Sequence, residues 1–208
     1  MKEILARIMV ALAALVFSAS FFLPADSDRS PAKVLKGIAE TVSSLDDVVA
    51  AAIFTAVAVV IAYPYAWALL LAFSAAAGRK RRFLENRWLH LGFHAVGGLL
   101  VAAVGITMLI IRDTWIPTPV QWAAATAPFV VLAMMILLIL AVDRTRGVWV
   151  IAVLGLLPHV PVQLMLVRVA TGMDESPLGF VMGGAGAAVA TAGSLLLLYL
   201  RSPARKSG

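Results

Sequence analysis

Cysteine is absent from the 208 residues. That excludes disulfides, thiolate catalysis, iron–sulfur clusters and thiol-ligated zinc, and leaves the compartment open. Charge is scarce as well: 13% of the chain is charged against 62% hydrophobic, about half the charge of an ordinary soluble domain. Acidic residues are missing from the interior of the long apolar runs, with Asp47, Asp113, Asp143, Asp174 and Glu175 at ends or in loops. Intramembrane proteolysis needs an activated serine, paired aspartates or a zinc motif. The chain has no GxSxG and no HExxH, and Ser194 has no evident base at its depth. There is no Walker loop, and the GGAG at 183–186 has no strand before it and so makes no dinucleotide site.

What is present is apolar length. The mean hydropathy is +0.97, and about 20 apolar residues suffice to cross the hydrocarbon core. Six runs qualify, at roughly 5–23, 48–77, 88–111, 122–142, 148–169 and 178–200. They predict a single all-α polytopic domain over 1–208, a six-helix membrane bundle. The net charge of +6 sits in short blocks between the runs, so it reads as topology and contact with anionic lipid, and not as a nucleic-acid surface. One side collects Lys2, Arg7, Arg79, Lys80, Arg81, Arg82, Arg87, Arg144, Arg146, Arg201, Arg205 and Lys206. The other collects Arg29, Lys33, Lys36, Arg112 and Arg168. That bias places both termini in the cytoplasm, with Arg79, Lys80, Arg81 and Arg82 as the main lipid-facing basic block. Trp88 and Trp149 then fall at inner span ends and Trp115 and Trp122 at outer ones, as an aromatic belt. A bacterial inner membrane is the expected location. The SAS at 18–20 resembles a signal-peptide cleavage site, but Phe21, Phe22 and Leu23 carry the apolar run on, so an uncleaved anchor is expected. In the first loop, Ser30-Pro31 is a helix start, and Val34, Leu35, Ile38, Val42 and Leu45 recur at helical spacing. A short amphipathic outer helix over about 31–45 follows, lying on the outer leaflet or roofing the bundle.

Polar groups at membrane depth are the candidate functional residues. His159 stands between Pro158 and Pro161 in GLLPHVPVQL, with Gln163 one turn on. The two prolines withdraw the donors that Leu154 and Leu157 carbonyls would accept. The second run carries Tyr63 and Tyr65 around a proline in YPYAW. If the six runs are two inverted halves, these broken segments correspond, and His159, Gln163, Tyr63 and Tyr65 would line a transport site. His90 and His94 share a helix face with Gly97, Gly98 and Gly105. Two imidazoles alone make a poor metal site, and no metal or cofactor is expected. A haem between His94 and His159 is strained by a depth difference of about 7 Å. The last run has two small-residue faces, Gly179/Gly183/Ala187 and Gly184/Ala188/Ala192, suited to close packing within the bundle or in a homodimer.

Two functions remain open on these residues. One is a non-enzymatic membrane scaffold or accessory subunit, working through helix packing, lipid contact and a membrane-protein partner. The other is a small-solute, cation or proton transporter with its site between the second and fifth runs.

Overall fold

The computed structural model describes residues 1–24, 30–46, 48–77, 84–110, 118–172 and 177–201. All regular structure among them is helical: α1 (Lys2–Ala19) with a 3₁₀ turn at Ser20–Phe22, α2 (Pro31–Ser43), α3 (Val48–Ala77), α4 (Arg87–Ile110), α5 (Thr118–Ala141), α6 (Arg144–Leu156), α7 (His159–Gly172) and α8 (Leu178–Leu200). The basic block 79–82, Trp115 and Arg112 lie outside the described residues.

Local chemistry explains the boundaries. The Ser30 hydroxyl accepts the Lys33 N–H at 3.2 Å with Pro31 at the first helical position, so α2 starts at a capped, proline-led terminus. It packs against α3 and the 3₁₀ turn. Leu35, Ile38 and Val42 of the predicted stripe are half-buried, while Val34 of the same stripe is 41% exposed.

The run expected as one helix over 148–169 is two. Starting α7 at His159 places Pro161 in a first turn, where backbone N–H groups lack helical partners in any case, so the break costs least there. The Leu157 carbonyl is also not free, because Val160 N–H donates to it at 3.3 Å. A tightened i to i+3 contact has recovered one of the two carbonyls that the prolines release.

Among the described residues, five helical stretches are long and apolar enough to cross a membrane: Lys2–Phe22, Ala50–Ala77, Arg87–Thr107, Arg144–Leu164 and Leu178–Leu200. The Arg144–Leu164 stretch runs through the break. The apolar part of α5, Ala125–Ala141, is shorter. Leu12, Phe73, Val96, Phe129, Leu137, Leu164 and Leu195 are among many large apolar residues left on the outside. A surface of this kind suits lipid and not water.

The helices close into a ring, α1–α3–α4–α5–α6–α8 and back to α1, with α7 against α8 and α4 also touching α6. Phe17, Trp67, Leu71, Trp149, Ile151, Leu156 and Leu197 are fully buried in it. The first and last helices run antiparallel and are clasped at both ends. Gly179 N–H donates to the Pro24 carbonyl at 2.8 Å, and Arg201 pairs with Glu3 at 2.7 Å. Between these clasps the backbones approach at Gly186, where an added Cβ would lie 2.7 Å from Phe17 N and 2.8 Å from the Ala13 carbonyl. The Gly179/Gly183/Ala187 face is buried, whereas Ala188 and Ala192 point outward.

Gly186→Ala should therefore destabilise the bundle by about 1–3 kcal/mol, since backbone and not a flexible side chain must yield. Gly92, with nothing within 4 Å of its missing Cβ, should accept alanine at no cost. Unfolding of both variants in mixed micelles measures the difference, and equal behaviour would contradict the packing described.

Candidate functional site

Tyr63 and Tyr65 are two residues apart on α3, about 200° around a helix, and they turn to different neighbours. Tyr63 faces α4: the Cβ that Gly97 lacks would lie 2.5 Å from its ring, and His94 sits edge-on at 6.4 Å. Tyr65 faces α1, stacking on Phe17 at 5.1 Å and lying 5.0 Å from Phe21. Its backbone carbonyl accepts the Ser18 hydroxyl at 3.0 Å. The His159 ring lies 5.4 Å from the same Phe17, and the Gln163 amide reaches the Tyr65 hydroxyl. Tyr65 and His159 thus meet at Phe17, with Gln163 against Tyr65, and Tyr63 does not join them. Pro158 and Pro161 are exposed; they shape the break and line nothing.

Gln163 is the most enclosed of the group at 5% exposed, and its Oε1 has no hydrogen-bond partner. The oxygen faces Gly183 of α8, whose missing Cβ would lie 3.3 Å from Oε1 and 3.0 Å from Ser20 Oγ. Ser20 gives its own proton to the Phe17 carbonyl at 2.6 Å. The amide oxygen therefore meets a glycine Cα–H, a contact of second-order strength. Glycine is needed at 183 for α7 and α8 to come this close.

His90 is fully buried, inside the helix packing and not facing headgroups. The Trp67 indole N–H, which can only donate, gives to His90 Nδ1 at 3.2 Å. Nδ1 is therefore an acceptor, and Nε2 carries the proton, 2.9 Å from the Leu84 carbonyl. The Ser74 hydroxyl lies 3.1 Å from Nε2 and 2.7 Å from both the Leu70 and Leu84 carbonyls. This is a neutral, satisfied histidine that ties α3 to α4. His94 is different. Its ring packs 4.2 Å from Trp67 and against Gly155 of α6, where an added Cβ would lie 2.6 Å from Nε2. That nitrogen has no hydrogen-bond partner. A porphyrin at coordination distance from Nε2 would overlap the α6 backbone, so His94 does not fit a haem ligand. No group of three or more metal-ligating side chains occurs among the described residues.

Sequence reading missed a charged cluster at the end of the bundle where α1 begins and α8 ends. Arg7, read only as a topology signal, is 7% exposed. It pairs with Glu3 at 3.4 Å, makes a short bond to Glu85 and reaches the Ala75 carbonyl at 3.4 Å. Arg201 pairs with Glu3 at 2.7 Å and Glu85 at 3.9 Å, and donates to the Thr145 carbonyl. Trp149, expected in an interfacial belt, is fully buried, with the Arg7 and Arg201 guanidiniums 5.6 and 5.7 Å from its ring. Trp88 and Trp122, at 49% and 58% exposed, do sit outward. The one local signal was Glu3 and Arg7 at i,i+4 spacing with Arg7 inside an apolar run. The partners at 85 and 201 are too distant in sequence to pair by spacing. A cleft of about 1200 Å³ opens beside this cluster.

No family model, curated protein or solved structure matches the chain, so the class rests on architecture alone: among the described residues, all-helical regular structure with five stretches of membrane-crossing length.

His90→Leu should strand the Trp67 indole N–H and cost about 1–3 kcal/mol. His94→Leu removes a nitrogen that bonds nothing and should cost less. Chemical unfolding in micelles ranks the two, and the reverse order would contradict the assignment of His90 as the structural histidine.

Proposed function

We propose that the chain is a six-span scaffold or accessory protein of a cell membrane, with both termini in the cytoplasm, working without catalysis through helix packing and lipid contact. The single observation that carries this reading is the filled interior. Phe17, Trp67 and Trp149 close the ring, His90 is satisfied, and the tyrosines expected to converge on a path diverge. The Ala125–Ala141 stretch of α5 supplies the sixth span by reaching into its polar first turns. An even number of spans agrees with chain ends on one side of the bundle, where Glu3 meets Arg201. The Lys and Arg bias of twelve against five favours the cytoplasm for that side and a bacterial inner membrane as the setting. Ala188 and Ala192 offer the outward small-residue face on which a membrane partner or a second copy would pack.

A second reading is favoured by one observation: Gln163 is buried with its Oε1 unpartnered, beside His159 and Tyr65. A polar solute, cation or proton crossing between α3 and the α6–α7 break would use these three groups.

Because the chain has no cysteine, a single one can be introduced at will. Ser27→Cys should react with a membrane-impermeant maleimide on intact cells and Ser207→Cys only after lysis; the opposite pattern overturns the orientation, and equal labelling overturns the even span count. His159→Leu should assemble normally and keep the biological function of the wild type. Liposomes holding wild-type protein should pass no more solute or protons than empty ones. Flux that disappears in a stably folded His159→Leu protein would replace the scaffold with the transporter.

A further inference from the structure

We propose that the cleft beside the Glu3–Arg201 cluster binds the phosphate of an anionic phospholipid, with Arg87 and Arg144 as its cationic partners. The inference rests on the reading of the helices as membrane spans, which places this end at headgroup depth. The cleft, about 1200 Å³, is large enough for a glycerophosphate group.

Charge bookkeeping identifies what it lacks. Glu3 and Glu85 are matched by Arg7 and Arg201, two acids against two guanidiniums. Glu3, Glu85 and Arg201 line the cleft together with Arg87, Arg144 and Asp143. With Arg7 counted, four arginines stand against three acids among these described residues, an excess of one positive charge. Arg87 uses Nη1 on the Ile139 and Val142 carbonyls at the end of α5. Arg144 is exposed and has no ion pair among the described residues. Arg146 Nε and Trp149 Nε1, three residues apart on α6, are also buried without an acceptor, but neither residue is among those lining the cleft. The excess of one positive charge around the cleft suits an acceptor-rich group of about one negative charge. A phosphodiester has that charge, and arginine holds it through paired N–H donors.

The surroundings favour lipid over a free anion. Trp88 lines the cleft, is 49% exposed and has the Arg87 guanidinium 5.3 Å from its ring, an arrangement suited to the headgroup layer. Leu200 also lines it, and the outward apolar side chains of α4 and α5, such as Phe93 and Leu140, continue towards the hydrocarbon. Acyl chains attached to a phosphate in the cleft would lie on these faces. Inorganic phosphate gains nothing from them.

The test is native mass spectrometry of the full chain in micelles doped in turn with phosphatidylglycerol, phosphatidylcholine or inorganic phosphate. Wild-type protein should retain phosphatidylglycerol in preference to phosphatidylcholine. Arg144→Gln should weaken that retention about tenfold, the loss of one charge-assisted contact. Arg168→Gln, the same charge change at the opposite end of the bundle, should leave it unaltered. Arg144 is exposed, so the variant should unfold as the wild type does, which the same micelles report. Equal retention in wild type and Arg144→Gln overturns the site. Inorganic phosphate displacing the lipid mole for mole overturns the lipid as its occupant. Maleimide labelling of the loops is independent of lipid, so a missing lipid effect in protein of the expected topology defeats this site and leaves the topology standing.

Discussion

The pairing of charges where the chain begins and ends is the constraint on which the rest of the bundle depends. Glu3, Arg7, Glu85 and Arg201 lie against one another, and the two arginines lie over the Trp149 ring. The Arg7–Glu85 pair, with both side chains largely enclosed, cannot lose a partner cheaply. Removing one member of a buried pair leaves the other charge uncompensated, a loss of about 3–5 kcal/mol. Glu3, about a third exposed, is worth less. The cluster also touches several helices of the ring. It joins α1 to α8, reaches the Ala75 carbonyl of α3, takes Glu85 from the approach to α4, and binds Thr145 and Trp149 of α6. Fixing these ends fixes where the first and last helices lie.

With the ends fixed, the interior follows from close approach and not from a hydrophobic drive, since lipid tails are as apolar as the side chains they would replace. Gly186 lets α1 and α8 meet backbone to backbone. Gly155 admits the His94 ring, and Gly183 admits Gln163. Some polar groups inside are settled locally, as His90 is by Trp67, Ser74 and the Leu84 carbonyl, whereas His94 Nε2 and Gln163 Oε1 are buried without a partner. The result is a ring of helices whose centre is occupied by aromatic side chains and whose chemistry lies at its ends and at the α6–α7 break.

Much of the architecture was legible in the sequence because it is local. The capped start of α2 follows from Ser30-Pro31, and two prolines three residues apart mark the fifth run as interrupted. They predict one kinked helix there, however, and not two, ending at Leu156 and starting at His159. Which groups meet across the bundle was not legible. The divergence of Tyr63 and Tyr65 is implied by 100° per residue, yet grouping them by depth hid it. Trp149 sits at the right position for an interfacial belt, and only two guanidiniums brought from residues 7 and 201 explain why it is buried. Arg7 reads equally well as a topology signal and as half of a salt bridge until Glu85 is placed beside it. Pairings across 78 and 198 residues have no periodicity to betray them.

The most direct measurement of this account is a double-mutant cycle on Glu3→Gln and Arg201→Gln, following unfolding in mixed micelles. If the cluster clasps the first helix to the last, the two losses should couple by about 1–3 kcal/mol, the double variant being much less impaired than the sum of the singles. Losses that simply add, to within about 0.5 kcal/mol, would mean that the two residues act independently and that something other than their pairing holds the bundle closed.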